Sequence, residues 1–432
     1  MLDIKFIRDN PDEVQKNAQN KGCDVDIKTL LEIDSKRRKL KAEIDELRAK
    51  RNENVAKMKG AKPTSEQISE GKDLREQLVE MERLLYEIDE TFDNLIKKVP
   101  NMALKDVPIG SSEDENVVIK TVGEIPEFDF TPLNHADIAN KRGWLDKERA
   151  SKVAGSRFAY LKGDLVKLQF AIIQFVIDTL TDENKIIEII RDANLDVSTK
   201  PFIPILPPYM IRTELYDAMD RLEPRDDRYK LDADDLWLQG SAEHVLGSMH
   251  TNEIFKETDL PCRYLGYATS FRREAGTYGK DMEGILRMHQ FDKLEMESFT
   301  VGEDGLKEHL FFASIQEYLM KQFDLPYRVI KKCTFDIGKP NASGMDVEVW
   351  LPGQNKYRET HTADYMTDYQ ARRLNTRVRR KSGDVELIFT NDATAFALGR
   401  IMIAIIENGQ TKDGKVRIPN VLKEYLKNKI YL

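Results

Sequence analysis

The chain contains little cysteine and little histidine, and it has no long apolar run. Its three cysteines, Cys23, Cys262 and Cys333, lie far apart among 432 residues, and its six histidines are scattered. This spacing argues against a disulfide framework and against a zinc site, so we expect no zinc and a reducing, cytoplasmic location. No apolar stretch reaches the roughly 18 residues of a membrane span, and the N-terminus lacks an apolar signal core, so we expect no membrane association.

Length and charge exclude fewer classes of protein than the features above. A chain of 432 residues, 41% of them hydrophobic, is long enough for two or three domains with sizeable cores. The net charge of −8 gives no reason by itself to expect nucleic-acid binding. The sequence contains no GxxxxGK[ST] pattern, which excludes the P-loop way of binding a nucleotide.

Residues from about 27 to 98 predict two long helices that pack together. Thr64 or Ser65 can cap the second helix after a break at Gly60–Pro63. Two helices of roughly 30 residues would form an antiparallel hairpin about 45–50 Å long. Apolar residues recur in steps of four and three in the second helix, and the first helix supplies partners, as in a heptad seam. They are Leu74, Leu78, Met81, Leu85, Ile88, Phe92 and Leu95, facing Ile33, Leu40, Ile44 and Leu47.

Basic residues are concentrated in the first of these helices. Residues 36–62 hold eleven lysines and arginines against four acids, whereas residues 64–98 hold five against ten. A basic stripe within an acidic protein suits a phosphate backbone, although a solvated helix face explains the charges equally well. The candidates for nucleic-acid contact are Lys36, Arg37, Arg38, Lys39, Lys41, Arg48, Lys50 and Arg51.

The segment Phe271–Glu297, FRREAGTYGKDMEGILRMHQFDKLEME, is the most indicative of function. It predicts two short strands joined by a loop that contains Gly276 and Gly279, with Ile285, Leu286 and Met288 on the second strand. Arginine forks hold phosphate oxygens, an aromatic ring can stack on a base, and a carboxylate can hold an ammonium group. An edge hairpin with solvated charges is the plainer interpretation.

This hairpin resembles motif 2 of the class II aminoacyl-tRNA synthetases, in the form that seryl-tRNA synthetases carry: F-R-x-E-A-G, a loop, then H-Q-F-x-K-x-E. The resemblance implies that ATP is bound by Arg272, Arg273, Glu274 and Phe291. It implies that Arg272 is catalytic, neutralising the α-phosphate, and that Phe291 stacks on adenine. It also implies that Glu295 binds serine.

Ser241-Ala242-Glu243 resembles the T-x-E element that holds serine in this family, with serine in place of threonine. The resemblance implies that these three residues, together with Thr394, contact the substrate. A helix N-cap at Ser241, with Glu243 in the first turn, explains the three residues equally well.

Two later segments resemble the magnesium region and motif 3 of the family. The resemblance implies that Glu359 and Thr362 bind Mg²⁺ and that Arg400 binds the γ-phosphate as a second catalytic residue. Residues 359–362 would border ATP and include Thr360 and His361, although we expect His361 at the surface or behind the site rather than as a base. The chain departs from the family in residues 360–365 and 391–395, where Asp392 replaces an amide and the strand is expected to break into a small-residue turn.

Phe202–Pro208 is an apolar run that ends in two prolines and resembles motif 1, which implies a homodimer; an ordinary core strand is the alternative. The implied fold is α+β, an antiparallel sheet with flanking helices plus an N-terminal long antiparallel helical hairpin. We divide the chain into a tRNA-binding domain (1–105), a linker (106–133) and a catalytic domain (134–432).

The implied activity is activation of serine with ATP and transfer of serine to the 3′ end of tRNA-Ser, with tRNA-Sec left open as a second substrate. Two other functions stay open. One is a synthetase-like ligase that loads an amino acid onto another acceptor, and the other is a non-catalytic coiled-coil binding protein. The helical arm argues against the first, and the charged motif residues argue against the second.

Overall fold

The computed structural model describes residues 1–58, 64–275 and 284–432. Within them the chain forms two compact units, Met1–Met102 and Ala103–Leu432. The predicted break at Gly60–Pro63 and the loop glycines Gly276 and Gly279 lie outside the described residues. The three-part division made from the sequence stays a prediction. No helix in the described ranges combines the length and apolar composition needed to cross a membrane.

The first unit contains two short and two long helices. The long helices form the predicted seam, because its apolar residues are buried or half-buried in both. Thr64 accepts a hydrogen bond from the backbone of Gln67, and the Gln67 side chain accepts one from the backbone of Thr64, which forms a capping box. The helices are α1 Ile4–Asp9, α2 Pro11–Asn20, α3 Ile27–Lys57 and α4 Ser65–Ile96.

Polar contacts between α3 and α4 show that the two helices run antiparallel. Arg37 pairs with Asp89, and further along α3 Arg48 lies 2.8 Å from Glu82. The guanidinium of Arg37 also lies 4.4 Å from the centre of the Phe92 ring. Part of the predicted basic stripe is therefore neutralised within the hairpin itself.

The second unit is built on an eight-stranded sheet in the order β1-β11-β12-β13-β16-β10-β9-β4. All neighbouring pairs are antiparallel except β4 and β9, so the α+β prediction is confirmed. The strands are β1 Val117–Val122, β2 Leu145–Asp146, β3 Tyr160–Leu161, β4 Ile203–Ile205, β5 Met210–Arg212, β6 Lys230–Leu231, β7 Leu236–Leu238, β8 Ile254–Lys256, β9 Cys262–Phe271, β10 Gln290–Thr300, β11 Tyr327–Lys331, β12 Ser343–Leu351, β13 Lys356–Thr367, β14 Arg377–Arg379, β15 Val385–Leu387 and β16 Phe389–Ala397.

One face of this sheet is covered by helices and forms the core. Leu294 and Met296 on β10 and Ala393 on β16 alternate along their strands with polar residues of the opposite face. Gln316 of α11 donates hydrogen bonds to the backbone oxygens of Thr362 and Thr394, at 2.7 and 2.9 Å. The helices are α5 His135–Lys141, α6 Lys147–Ala154, α7 Asp164–Thr181, α8 Glu183–Asp192, α9 Thr213–Ala218, α10 Glu243–Leu246, α11 Gly305–Gln322, α12 Tyr369–Leu374 and α13 Leu398–Gly409.

The 106–133 segment, predicted as a linker, contains β1, which its β-branched residues form at one edge of the sheet. Two other local predictions differ from the structure. The hairpin strands β9 and β10 are long, and Ile285, Leu286 and Met288 precede β10 rather than lying on it. The small-residue turn expected around 391–395 is the middle of β16, because alanines and threonines fit between buried strands.

His309 on α11 is expected to make the stability of the fold depend on pH. Burial, together with the nearby charge of Lys331, lowers the pKa of its ring to about 4. The unfolded chain binds this proton below about pH 6.5, whereas the folded chain does not until about pH 4, so stability is lost as the pH falls through this window. At pH 5 the loss should be about 2 kcal/mol.

Urea unfolding at pH 7.5 and pH 5 of the wild type and of His309→Phe measures this effect. The variant should lose about 2 kcal/mol less than the wild type between the two values. An equal loss in both proteins would show that His309 does not cause the pH dependence.

Candidate active site

The sheet face opposite the core lines a cavity of about 730 Å³ in which charged residues predominate. A smaller cavity of about 70 Å³ shares Arg272 and Arg400 with it. Together they collect ten of the residues selected from the sequence, which lie far apart along the chain. These are Glu243, Arg272, Glu295, Glu359, Thr362 and Arg400 in the large cavity, and Glu274, Phe291, Thr360 and Thr394 in the small one.

Glu295 is the centre of the buried end of the site. The Ser241 hydroxyl donates to its Oε1 atom at 3.3 Å, and the Thr394 hydroxyl donates to the same atom at 3.2 Å. The N-cap alternative for Ser241 is wrong, because α10 begins at Glu243 and Ala242 holds the cap position without a side-chain hydrogen bond. The serine hydroxyl therefore takes part in the site instead of capping the helix.

Lys293 belongs to this site and was not assigned a role from the sequence. Its ammonium group pairs with Glu295 and donates to the Ser241 hydroxyl at 3.1 Å. Burial raises the pKa of Glu295 to about 7, although Lys293 opposes the shift. Alternation along β10 places residues 293 and 295 on one face, so the pattern K-x-E could have revealed this pair.

The nucleotide end is organised by the hairpin of β9 and β10. Arg272 donates from Nε to the backbone oxygen of Gly240 at 2.9 Å, and its guanidinium lies 5.4 Å from the centre of the Phe291 ring. Arg287 donates to the Glu274 carboxylate at 2.7 Å. The arginine fork and the aromatic ring are therefore held beside one cavity, as a nucleotide site needs.

Arg400 and Glu359 meet at the outer rim of the cavity. The guanidinium of Arg400 lies 3.0 Å from the Glu359 carboxylate and donates to the Glu359 backbone oxygen at 2.9 Å. Thr362 accepts a hydrogen bond from the Lys332 ammonium at 3.1 Å. A cation therefore lies beside each residue. Glu359 is the better fit for Mg²⁺, because a carboxylate is a stronger ligand for this ion than a hydroxyl.

Three selected residues do not line the site. Arg273 turns away, donating to the backbone oxygen of Arg228 and lying 4.6 Å from the Tyr229 ring. Ala242 is buried among apolar side chains. His361 is fully buried and packs 4.9 Å from the Phe396 ring, and it does not border the cavities assigned to ATP. Of the two positions expected for it, the surface is wrong, and the buried one behind the site agrees with the structure.

Alternation explains the position of His361. It pairs across the sheet with Val347, a core residue, and Ala363 two positions later is also a core residue. Its ring nitrogen Nδ1 lies 2.8 Å from the Thr360 hydroxyl. Burial lowers the pKa of His361 to about 3, so the ring stays neutral.

The Asp392 carboxylate is paired with a cation. Arg221, in the loop after α9, donates to its carboxylate at 3.1 Å and so neutralises the charge that Asp392 introduces. No sequence pattern pointed to Arg221, because a long-range partner on a loop follows no periodicity.

The chain is similar to known proteins over its full length. A family model for the seryl-tRNA synthetase N-terminal domain matches residues 1–103, and one for the class II tRNA synthetase core domain (G, H, P, S and T) matches residues 228–409. The chain is 37% identical over 434 residues to the serine–tRNA ligase of Nitrosopumilus maritimus, with 99% of both chains covered. The chain belongs to the seryl-tRNA synthetase family.

Other members agree with this assignment. The serine–tRNA ligase of Borreliella burgdorferi strain ZS7 is 39% identical, with 98% of both chains covered. The crystal structure of seryl-tRNA synthetase from Pyrococcus horikoshii complexed with ATP matches with a TM-score of 0.88 at 34% identity, and the match covers both chains completely. The family and fold inferred from the motifs are therefore confirmed.

Proposed function

We propose that this synthetase activates serine with ATP and transfers it to the 3′ end of tRNA-Ser. The observation that carries the proposal is the buried Glu295 carboxylate, which accepts hydrogen bonds from the hydroxyls of Ser241 and Thr394. It lies beside a cavity that is also lined by Arg272 and Arg400. Buried acceptors of this kind suit a small substrate with an ammonium group and a hydroxyl. Relatives that align over their whole length are serine–tRNA ligases.

In the first step, the serine carboxylate attacks the α-phosphorus of ATP, and pyrophosphate leaves as seryl-adenylate forms. Arg272 neutralises charge on the α-phosphate, and Arg400 holds the γ-phosphate. Glu295 and Glu243 hold the ammonium and hydroxyl groups of serine. The protein contributes position and charge, without a nucleophile of its own.

Mg²⁺ would neutralise charge on the β- and γ-phosphates and would be held by Glu359, with Thr362 as the weaker candidate. Among the described residues, no three His, Cys, Asp or Glu side chains are placed to hold a metal together. The triphosphate and water would supply most of the metal's ligands. In the second step, the terminal hydroxyl of the tRNA attacks the activated carbonyl, and AMP leaves.

ATP–pyrophosphate exchange measured with each of the twenty amino acids tests the activation step. Serine should give the highest kcat/KM. Alanine should be rejected by about 10⁴-fold or more, because it leaves the buried acceptors unpaired. A different best substrate would overturn the assignment of serine while leaving class II chemistry in place. Exchange with no amino acid would favour the non-catalytic alternative.

We also propose that the helical arm binds tRNA-Ser, that the enzyme acts in the cytoplasm, and that it is a homodimer. Ile203 on β4 and Leu206 directly after it support the dimer, because β4 is the outer edge of the sheet and the two side chains are 53% and 77% exposed. Apolar residues along an edge strand commonly pair with a second chain. Charging of tRNA-Sec is a further possibility that a tRNA-Sec transcript would test.

Sedimentation velocity is expected to show a particle of about twice the 49.9 kDa chain mass. Leu206→Asp should shift it toward the monomer, because a charge would be buried at the interface. Val153→Asp, at an exposed apolar residue on α6, serves as the matched control. A wild-type monomer that still charges tRNA would refute the dimer.

A further inference from the structure

On the sheet face that lines the large cavity, three carboxylates lie side by side, one step along the strands from Glu295. Glu295 pairs across the sheet with Thr394, and two residues along the same strands Glu297 pairs with Asp392. Asp392 in turn pairs with Asp364 on β13. Successive residues on one face of a strand are about 7 Å apart, so Glu297, Asp392 and Asp364 form a second carboxylate row one step beyond Glu295.

Like charges directly opposite one another destabilise a sheet, and here two cations offset them. Arg221 lies 3.1 Å from Asp392, and Lys332 lies 3.2 Å from Asp364. Gly344 leaves room for the second pair, because a Cβ atom there would lie 2.5 Å from the Lys332 side chain. Arg221 and Asp392 both line the large cavity, whereas the chemistry proposed above uses neither.

Glu297 differs from the other two members of the row. It is fully buried, and neither of its carboxylate oxygens has a hydrogen-bond partner within the described part of the chain. Burial, with the carboxylates of Asp392 and Glu243 nearby, raises its pKa well above the usual value. Burial and the neighbouring carboxylates raise the pKa of Asp392 as well, but Arg221 opposes that shift. Asp392 therefore differs from Glu297 in having a cationic partner, at 3.1 Å.

We propose that the Arg221–Asp392 ion pair is the end wall of the amino-acid pocket and determines which side chain is accepted. This inference rests on the proposed function. A side chain longer than that of serine, bound by its amine at Glu295, would extend across the step of about 7 Å toward this pair. To enter, it would have to separate two buried charges, which costs more than displacing an apolar wall.

The pair cannot move aside easily. Asp392 lies in the middle of β16, between β13 and β10, and its side chain is 5% exposed. Arg221 is also held by the Asn341 side chain, whose oxygen lies 3.4 Å from the same guanidinium nitrogen. The wall is fixed by the sheet on one side and by the loop after α9 on the other.

Full-length Asp392→Asn, Arg221→Gln and the double variant test this inference by ATP–pyrophosphate exchange. Serine, threonine, asparagine and homoserine are the substrates. Each single variant leaves one buried charge without its partner, so kcat/KM for serine should fall on the order of 10²-fold. The double variant removes both charges and should recover most of that loss.

Selectivity is the decisive measurement, because a purely structural role would change all substrates equally. In the double variant, the preference for serine over asparagine and homoserine should fall at least tenfold. Lys120→Gln, an exposed lysine on β1, is the control that leaves all ratios unchanged. Thermal melting and ATP binding verify folding, and the double variant, which leaves no lone charge, decides the test if a single variant does not fold.

Unchanged selectivity in a folded double variant would overturn the proposal that the Arg221–Asp392 pair is the end wall, while leaving serine activation intact. A wild type that activates no amino acid would overturn the proposed function and this inference together. A wild type that prefers a longer amino acid would overturn the role of the pair in excluding such side chains.

Discussion

Arg272→Ala is expected to slow adenylate formation by about 10²–10³-fold, the effect of removing one preorganised charge that stabilises a transition state. Arg272 lines both cavities and is oriented by the backbone oxygen of Gly240 at 2.9 Å. Arg272→Lys should not restore the rate, because an ammonium group lacks the planar fork. Single-turnover formation of seryl-adenylate is the measurement.

The neighbouring arginine provides a matched control. Arg273 has the same charge one residue later, but its side chain lies against Tyr229 outside the cavities. Arg273→Ala should therefore change adenylate formation only a few-fold. A near-normal rate in Arg272→Ala would remove Arg272 from the site, and equal losses in both variants would point to damage of the hairpin instead.

Removal of about residues 30–98 is expected to abolish tRNA charging and to leave serine activation largely intact. The two activities should separate because the cavity residues all belong to the unit Ala103–Leu432, whereas the arm belongs to the unit Met1–Met102. Charging and exchange measured on the same preparation test this separation. Loss of exchange together with charging would contradict it.

Charge substitutions on the full-length chain give a sharper test of the arm. Four cations are exposed on α3: Lys36, Lys39, Lys50 and Arg51. Arg37, by contrast, pairs with Asp89 and contacts the Phe92 ring. Neutralising the four exposed residues should weaken tRNA binding and reduce the salt dependence of affinity, by roughly one unit of slope for each lysine or arginine that binds a phosphate. Arg37→Gln should reduce stability instead.

Lys72→Gln with Arg83→Gln, on the acidic helix α4, is the control for nonspecific charge effects. These cations pair with glutamates of their own helix. Curves of tRNA binding, measured at several salt concentrations, compare the variant that lacks the four α3 charges with the α4 control variant. Equal tRNA affinity and salt slope with or without the four α3 charges would contradict the electrostatic account of the arm.

Residues that follow a periodic pattern were predictable from the sequence. The heptad steps located the seam of the arm. The resemblance of the hairpin to motif 2 selected Arg272, Phe291 and Glu295, which line two cavities that share Arg272. Such patterns are predictable because they depend on neighbours along one helix or one strand. The same alternation would have found Lys293.

Residues whose roles depend on distant partners were not predictable. Arg221 meets Asp392 across 171 positions of sequence, and Lys332 reaches Asp364 from directly after the end of β11. Glu359 lines the cavity, whereas His361, two positions later, faces the core, because the register of β12 and β13 shifts between Val347 and Glu348. A shift of this kind turns side chains to the opposite face, and a single sequence does not show it.

The most direct test of the central claim is charging of a tRNA-Ser transcript with labelled serine by the full-length protein. The account predicts ATP-dependent formation of an ester at the tRNA 3′ end, and strong reduction of that signal when Lys36, Lys39, Lys50 and Arg51 are neutralised. Serine-dependent pyrophosphate exchange without transfer to any tRNA would contradict it, and would identify a ligase that loads another acceptor.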